Sequence, residues 1–282
     1  MDTQPSKGNS VLTDVIDNPA AGSQAGCRAD QNSSAVVYDP LAPTIFHEDW
    51  WLDTATRGNF EIAEVSSGGR TVGRLPFFLT RRLGIKMIRM PILTYFLGPA
   101  ICGGEGSANN RFLRRLEITH ELLGKLPRVS WHYLKCQGGI TDVIAFQEHG
   151  FRTYVQFSHE IVPMPAEDLW QKMRNKTRNV IRRAAERLSI AELSDPDEFV
   201  RFYERNCALK GVSNEIDSSI CRKLIAASLE RQRGRILAAR DANNQITRRT
   251  SMFGIESRPF ICFLPDRKVL ETARSACSSG KP

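Results

Sequence analysis

Apolar and polar positions alternate from Phe60 to Val65, and the alternation resumes from Thr71 to Leu79. Ser66, Ser67, Gly68 and Gly69 lie between the two runs, so the pattern predicts a β-hairpin. Pro76 suggests an edge or a strand end, because proline cannot donate to a ladder. Ile85–Met90 and Ile92–Leu97 read as further short strands, and Gly103–Ser107 as a loop. From Arg111 the period becomes helical, and Gly124 with the later Pro127 closes that amphipathic helix. Val129–Cys136 is strand-like, Asp142 is placed to cap a short helix ending at Gly150, and Phe151–Ile161 is extended.

A second unit is expected after Pro163 and Pro165. Glu167–Leu188 reads as one helix, with Leu169, Met173, Val180, Ile181, Ala184 and Leu188 along one side. Its acids stand in the first turn and its arginines near the end, as the helix dipole favours. Asp195, Pro196, Asp197 and Glu198 open another helix that stops before Gly211. A third runs from about Asp217 to Arg233 and stops at Gly234. Arg235–Arg240 is then a strand, and residues 241–245 a turn. No internal repeat is visible in the sequence.

The expected fold class is therefore α/β in the α+β sense, with two mixed sheets flanked by helices. Residues 1–43 are rich in Ser, Asn, Gly, Asp and Pro, a composition that predicts disorder. The first unit is expected over 44–162 and the second over 163–246. After Ile246 the alternation stops, so 247–282 reads as a tail foreign to the fold and the second unit as incomplete.

Charge narrows the partners more than the fold. Net charge is +8 and the isoelectric point 9.3, which favours an anionic partner such as a nucleotide cofactor, tRNA or anionic lipid, against a generally basic surface. The seven cysteines are scattered with no CxxC pair, so neither a disulfide framework nor a zinc site is signalled, and a reducing cytosol fits. The N-terminus lacks the basic start and apolar run of a secretory signal. The most apolar stretch, Ile85–Cys102, is interrupted by Lys86, Arg89, Pro91, Gly98 and Pro99, which suits buried strands better than a membrane span.

Several stretches, taken in order, carry a resemblance. They are 46–52 (FHEDWWL), 72–76 (VGRLP), 90–99 (MPILTYFLGP), 149–151 (HGF), Leu169 with Trp170, and 176–184 (KTRNVIRRA). Together they resemble the FemAB-like branch of the GNAT superfamily of acyltransferases, over roughly residues 43–246. The resemblance implies tandem GNAT-like units and transfer of an acyl group to an amine. The implied donor is acetyl-CoA or another acyl-CoA, or aminoacyl-tRNA as in the peptidoglycan-bridge enzymes. The implied acceptor is an amine of a sugar or cell-envelope precursor, met in the cytoplasm or at the inner membrane surface. Backbone N–H groups at a splayed strand would polarise the carbonyl, and those at a helix N-terminus would hold the donor pyrophosphate. A carboxylate, acting through water, can take the amine proton.

Few side chains stand out as site residues. Lys176, Arg178 and Arg182 could hold phosphates or an anionic acceptor, against a solvated face with pairs such as Arg182 and Glu186. Tyr203 and Lys210 could face the acceptor, against packing and surface charge. Residues 231–235 (RQRGR) echo the pyrophosphate loop of the superfamily. They lead from a helix into a strand, the reverse of that loop, so a helix C-cap is the better reading. Gly103–Gly106 is no P-loop, because no Lys-Ser/Thr follows. No metal spacing joins the five histidines, and Trp50, Trp51 and Trp170 are expected in the core.

The tail has a specific expectation attached. Read from the third base of each codon, with silent bases free, 247–282 permits a strand, Val-Trp-Asp, a turn, an aromatic strand, a glycine-bearing loop and a helix start. The valine is forced by Met252-Phe253. A shifted reading frame would thus explain the break, leave the strand at 235–240 as an unpaired edge and impair catalysis. The rival class is a non-catalytic basic module that binds RNA or an anionic surface.

Overall fold

The computed structural model describes residues 39–157, 164–209, 211, 213–214, 216–243, 246–255 and 258–262, the last two ranges as backbone. The disorder expected for residues 1–38 lies outside these. Packing is already established before the expected start at Pro43. Ala42 is already buried, and the Asp39 carboxylate accepts from the Leu41 N–H at 2.8 Å.

The fold is mixed α/β with two sheets. A 3-10 turn at Ile45–His47 leads into α1 (Asp49–Thr56). The hairpin β1 (Glu61–Ser67) and β2 (Arg70–Arg82) pairs antiparallel from Glu61↔Phe77 to Ser67↔Arg70. Its two-residue turn needs positive φ at both positions, and Gly68 and Gly69 stand at +58° and +75°. A second tight hairpin joins β2 to β3 (Ile85–Arg89), pairing Arg82 with Ile85. Its turn residue Leu83 is held at φ +50° with its side chain almost wholly exposed.

Pro76 is internal to β2, not at an edge or end. Arg74 is the last residue paired to β4 (Ala100–Ile101), and Phe78 the first paired to β3. The proline occupies the gap between those two ladders, where that side of β2 has no strand partner to lose. Ile92–Leu97 is not a strand either. Pro91 opens a turn, with the Thr94 N–H donating to the Pro91 carbonyl at 3.2 Å and Leu93 at φ +56°.

Helix α2 (Ala108–Gly124) starts three residues before the expected position, because Ser107 caps it by accepting from the Asn110 N–H. It crosses to β5 (Trp131–His132), which lies parallel to β3. Helix α3 (Ile144–Glu148) follows, without the expected side-chain cap from Asp142, since Val143 occupies the cap position. Residues 151–157 carry no regular structure, and 158–161 lie outside the described residues. Sheet order is β1-β2-β3-β5. Leu75, Phe77 and Ile88 face Ile118, Leu122 and Phe146 in the first core. Helix and strand approach closely there. A Cβ on Gly73 would stand 2.4 Å from Ile118 Cγ2.

The single helix expected over 167–188 is two helices, α4 (Ala166–Lys172) and α5 (Asn175–Ala185). Met173 and Arg174 between them are extended, with ψ 142° and 144°. Neither Gly nor Pro stands there, and nothing in the local sequence forces the break. Then come β6 (Ser189–Leu193), α6 (Pro196–Leu209), α7 (Ser218–Glu230) and β7 (Gly234–Arg240). The expected cap at Asp195 forms, and Asp217 caps the following helix as well. Asp195 Oδ1 accepts from the Asp197 N–H at 2.8 Å, and Asp217 Oδ1 accepts from Ser219 and Ile220. Residues 231–235 end α7 as a Schellman turn: Gln232 stands at φ +56°, and the Arg233 N–H donates to Ser228 at 2.7 Å.

The strand β7 is not an unpaired edge. It pairs with β6 on one side and with β8 (Ile246–Ile255) on the other, and β8 pairs in turn with β9 (Arg258–Cys262). A ladder is made by backbone groups and does not require alternating side chains. The β-branched Ile246, Thr247, Thr250 and Ile255 favour an extended chain even without a clean pattern. The second sheet is antiparallel throughout, in the order β6-β7-β8-β9.

The second core is not drawn from one stretch of sequence. Ile45, Phe46, Trp51 and Ala55 pack with Phe199, Val200, Leu224, Ile225, Ile236 and Ala238. The turn and helix at 45–56 thus belong by packing with α6, α7 and β7. Trp51 is fully buried, and its indole N–H donates to Thr94 Oγ1 at 3.1 Å. Trp50 packs beside it partly exposed, whereas Trp170 joins neither core.

Candidate functional site

Two parallel strands that diverge leave backbone N–H groups free to grip a carbonyl. The first unit has the pair, β3 and β5, but their ladder spans only Met87↔Trp131 and Ile88↔His132. Beyond it the Tyr133 N–H still donates to the Ile88 carbonyl at 3.0 Å. The chain's own return then fills the gap. The Leu97 N–H donates to the Lys135 carbonyl, and the Gln137 amide donates to the Pro99 carbonyl, each at 2.8 Å. Gly98 permits this close approach, because a Cβ there would lie 2.9 Å from Cys136 Sγ. Burial pushes the Cys136 thiol up to about 11.

His47 locks that filling segment from the other side. Its Nε2 lies 3.1 Å from the Gly98 carbonyl and its Nδ1 2.7 Å from Thr44 Oγ1. A carbonyl can only accept, so Nε2 carries the proton and Nδ1 accepts from the hydroxyl. The Gly98 N–H is further off, at 3.4 Å, and the shorter contact decides. Burial is the main force holding the His47 pKa down at about 4, and the charge on Arg74 adds to it. His132 is also lowered, chiefly by burial, and stacks on Phe151 at 5.3 Å. It faces the first core and offers no base to a substrate outside.

A glycine-rich loop, 103–106, leads from β4 into α2, the strand-to-helix direction a pyrophosphate loop requires. Gly104 and Gly106 stand at φ +68° and +106°. However, Arg111 Nη1 donates to the Gly106 carbonyl at 2.6 Å, and Glu105 brings an acid to the mouth of the helix. An acid there opposes an anionic ligand. The strand gap beside β3 is thus filled by the chain itself, and the loop at 103–106 is occupied by Glu105 and by the Arg111 contact.

The second unit supplies β6, two helices, then β7, β8 and β9 in sheet order. The antiparallel run β7-β8-β9 parallels the run β1-β2-β3 of the first sheet, which there is followed by α2 and the parallel β5.

The basic candidates divide. On an α-helix Arg178 and Arg182 share a side, four residues apart, whereas Lys176 lies on a different one. Arg178 bonds to Asn175 Oδ1, and the Arg182 guanidinium sits 5.5 Å over the Trp170 ring and 3.4 Å from Asn179. The three do not converge on one point. Tyr203 is half-buried on α6, and Lys210 lies outside the described residues. The filled gap between β3 and β5 was not legible in advance. Its only sequence signal is the Gly98-Pro99 pair within the turn-forming stretch after Met90. Among the described residues no helix is long and apolar enough to cross a membrane. Comparison with family models and with curated proteins finds no match to this chain.

Proposed function

We propose that this chain has the architecture of a FemAB-like N-acyltransferase that moves an acetyl group from acetyl-CoA to an amine of a sugar or cell-envelope precursor. The observation that carries the reading is the order of elements. A three-stranded antiparallel run, a helix and a parallel strand make up the first sheet region, and a second sheet, opened by β6 and two helices, carries another three-stranded antiparallel run. The resemblance in residues 46–52, 90–99 and 176–184 agrees with that plan.

In this reading the neutral amine attacks the thioester carbonyl. Backbone N–H groups hold the oxyanion, the intermediate collapses with loss of the CoA thiolate, and the amine proton leaves to a base or water. No side chain is assigned as that base. The donor belongs to the second unit, because the slot in the first is closed by residues 97–99. The segment after Ile246 departs from the family pattern, so we expect the chain as written to be impaired in turnover. The reaction belongs to the cytoplasmic side, where acyl-CoA is made.

The test, made on the protein whose residues 247–282 carry the sequence of the shifted frame, is release of free CoA thiol from acetyl-CoA on addition of amino sugars, followed by mass analysis of the acceptor. An N-acetylated product supports the reading. Productive transfer from aminoacyl-tRNA alone would replace acetyl-CoA as donor. Salt-sensitive RNA affinity without any acyl-donor binding would refute enzymatic function.

A further inference from the structure

Helix α5 has no buried residue, yet its sequence is that of an amphipathic helix. At about 100° per residue, Thr177, Val180, Ile181 and Ala184 fall on one arc about 100° wide. Lys176 and Arg183 border that arc on one side, and Arg178 borders it on the other with Arg182 beyond. Val180 is 61% exposed and Ile181 39%. Among the described residues, no core packs on this apolar strip between two basic margins.

Charge decides what kind of partner. Residues 166–188 carry seven Lys and Arg against three Asp and Glu, which is half of the chain's net charge of +8. A protein groove would satisfy the strip but not both rows of cations. RNA would satisfy the cations but gains nothing from covering Val180 and Ile181. RNA-binding surfaces add stacking rings. The one aromatic ring on α4 and α5, Trp170, already carries the Arg182 guanidinium. An anionic bilayer satisfies both features at once: aliphatic side chains enter the acyl boundary while long cationic stems reach up to the phosphates.

We propose that α5 is an interfacial helix that docks the protein on an anionic phospholipid surface, with Val180 and Ile181 inserted and Lys176, Arg178, Arg182 and Arg183 at headgroup level. This does not depend on the acyl-transfer reading. It would hold for a protein of any activity that works at such a surface.

The experiment is flotation of the full chain with vesicles of phosphatidylcholine alone and of phosphatidylcholine mixed with phosphatidylglycerol. Binding is expected to the mixed vesicles and to fall with salt. Arg182→Gln with Arg183→Gln should weaken it by about fivefold per charge. Val180→Ser with Ile181→Ser should also weaken it, at unchanged circular dichroism, because neither side chain is in a core. Ile181→Trp supplies an independent readout, a blue-shifted emission on mixed vesicles and none on phosphatidylcholine or on single-stranded RNA. The proposal is overturned by absence of binding to mixed vesicles. It is equally overturned if the serine pair leaves binding unchanged and the new tryptophan keeps its aqueous emission, which is the behaviour of a basic surface adsorbing without insertion. Tighter binding to RNA than to mixed vesicles, indifferent to the serine pair, would likewise overturn it.

Discussion

Lowering the pH should unfasten the segment that closes the first unit's strand gap, because its clasp is a buried neutral histidine. His47 is fully buried, and its pKa falls from the ordinary 6.5 to about 4. A depressed native pKa contributes stability that is whole above 6.5 and is lost as the pH falls through 4. In that window the unfolded chain binds a proton that the native chain refuses. At about 1.36 kcal/mol per pKa unit, the full effect is about 3 kcal/mol. At about pH 4.5 the unfolded histidine is almost wholly protonated and the native one about a quarter, so about 2.5 kcal/mol should already be lost. Other groups titrate in the same range, so the measurement is a difference. Urea denaturation of the native protein and of His47→Gln is compared at about pH 7.5 and about pH 4.5. The glutamine variant should be less stable at the higher pH and should lose about 2.5 kcal/mol less on acidification. An identical loss in both proteins would refute the buried, neutral assignment.

Three further outcomes follow from the packing. Gly73→Ala should destabilise by about 1–3 kcal/mol in chemical denaturation, because its Cβ would stand 2.4 Å from Ile118 Cγ2 and α2 must move off β2. Leu83→Asn should stabilise by roughly 1 kcal/mol, since the tight turn holds an exposed leucine at φ +50° where asparagine is tolerated; a lower midpoint would contradict it. Asp217→Ala removes the cap of α7 and the partner of Arg57, and should cost about 1–2 kcal/mol, read as a loss of thermal midpoint.

Local chemistry was legible in the sequence where it is self-contained. Gly68-Gly69 dictated its turn, Asp195 its cap, and residues 231–235 a helix end. Alternation placed β1, where Ala63 and Val65 are buried and Glu64 between them is exposed. The misses share a cause, which is that tertiary partners were decisive. Pro76 fits inside β2 only because two ladders leave a gap beside it. Ile92–Leu97 has the apolar content of a strand but is spent on loop contacts, with Thr94 taken by Trp51 and Gly98 by His47. The strip on α5 reads as a core face in one dimension, yet no core among the described residues meets it. The β8 ladder forms without side-chain alternation, which a pattern search cannot see. The site was less legible than the fold, because acyl transfer on such sheets relies on backbone groups that no residue type marks.

Donor binding tests the account most directly. Acetyl-CoA is titrated calorimetrically into two proteins, the chain as written and one in which residues 247–282 are replaced by the sequence of the shifted frame. One-site binding to the frame-shifted protein and only heat of dilution from the other is the result expected of a donor seat in the second unit. Equal binding by both, or binding by neither, would contradict it.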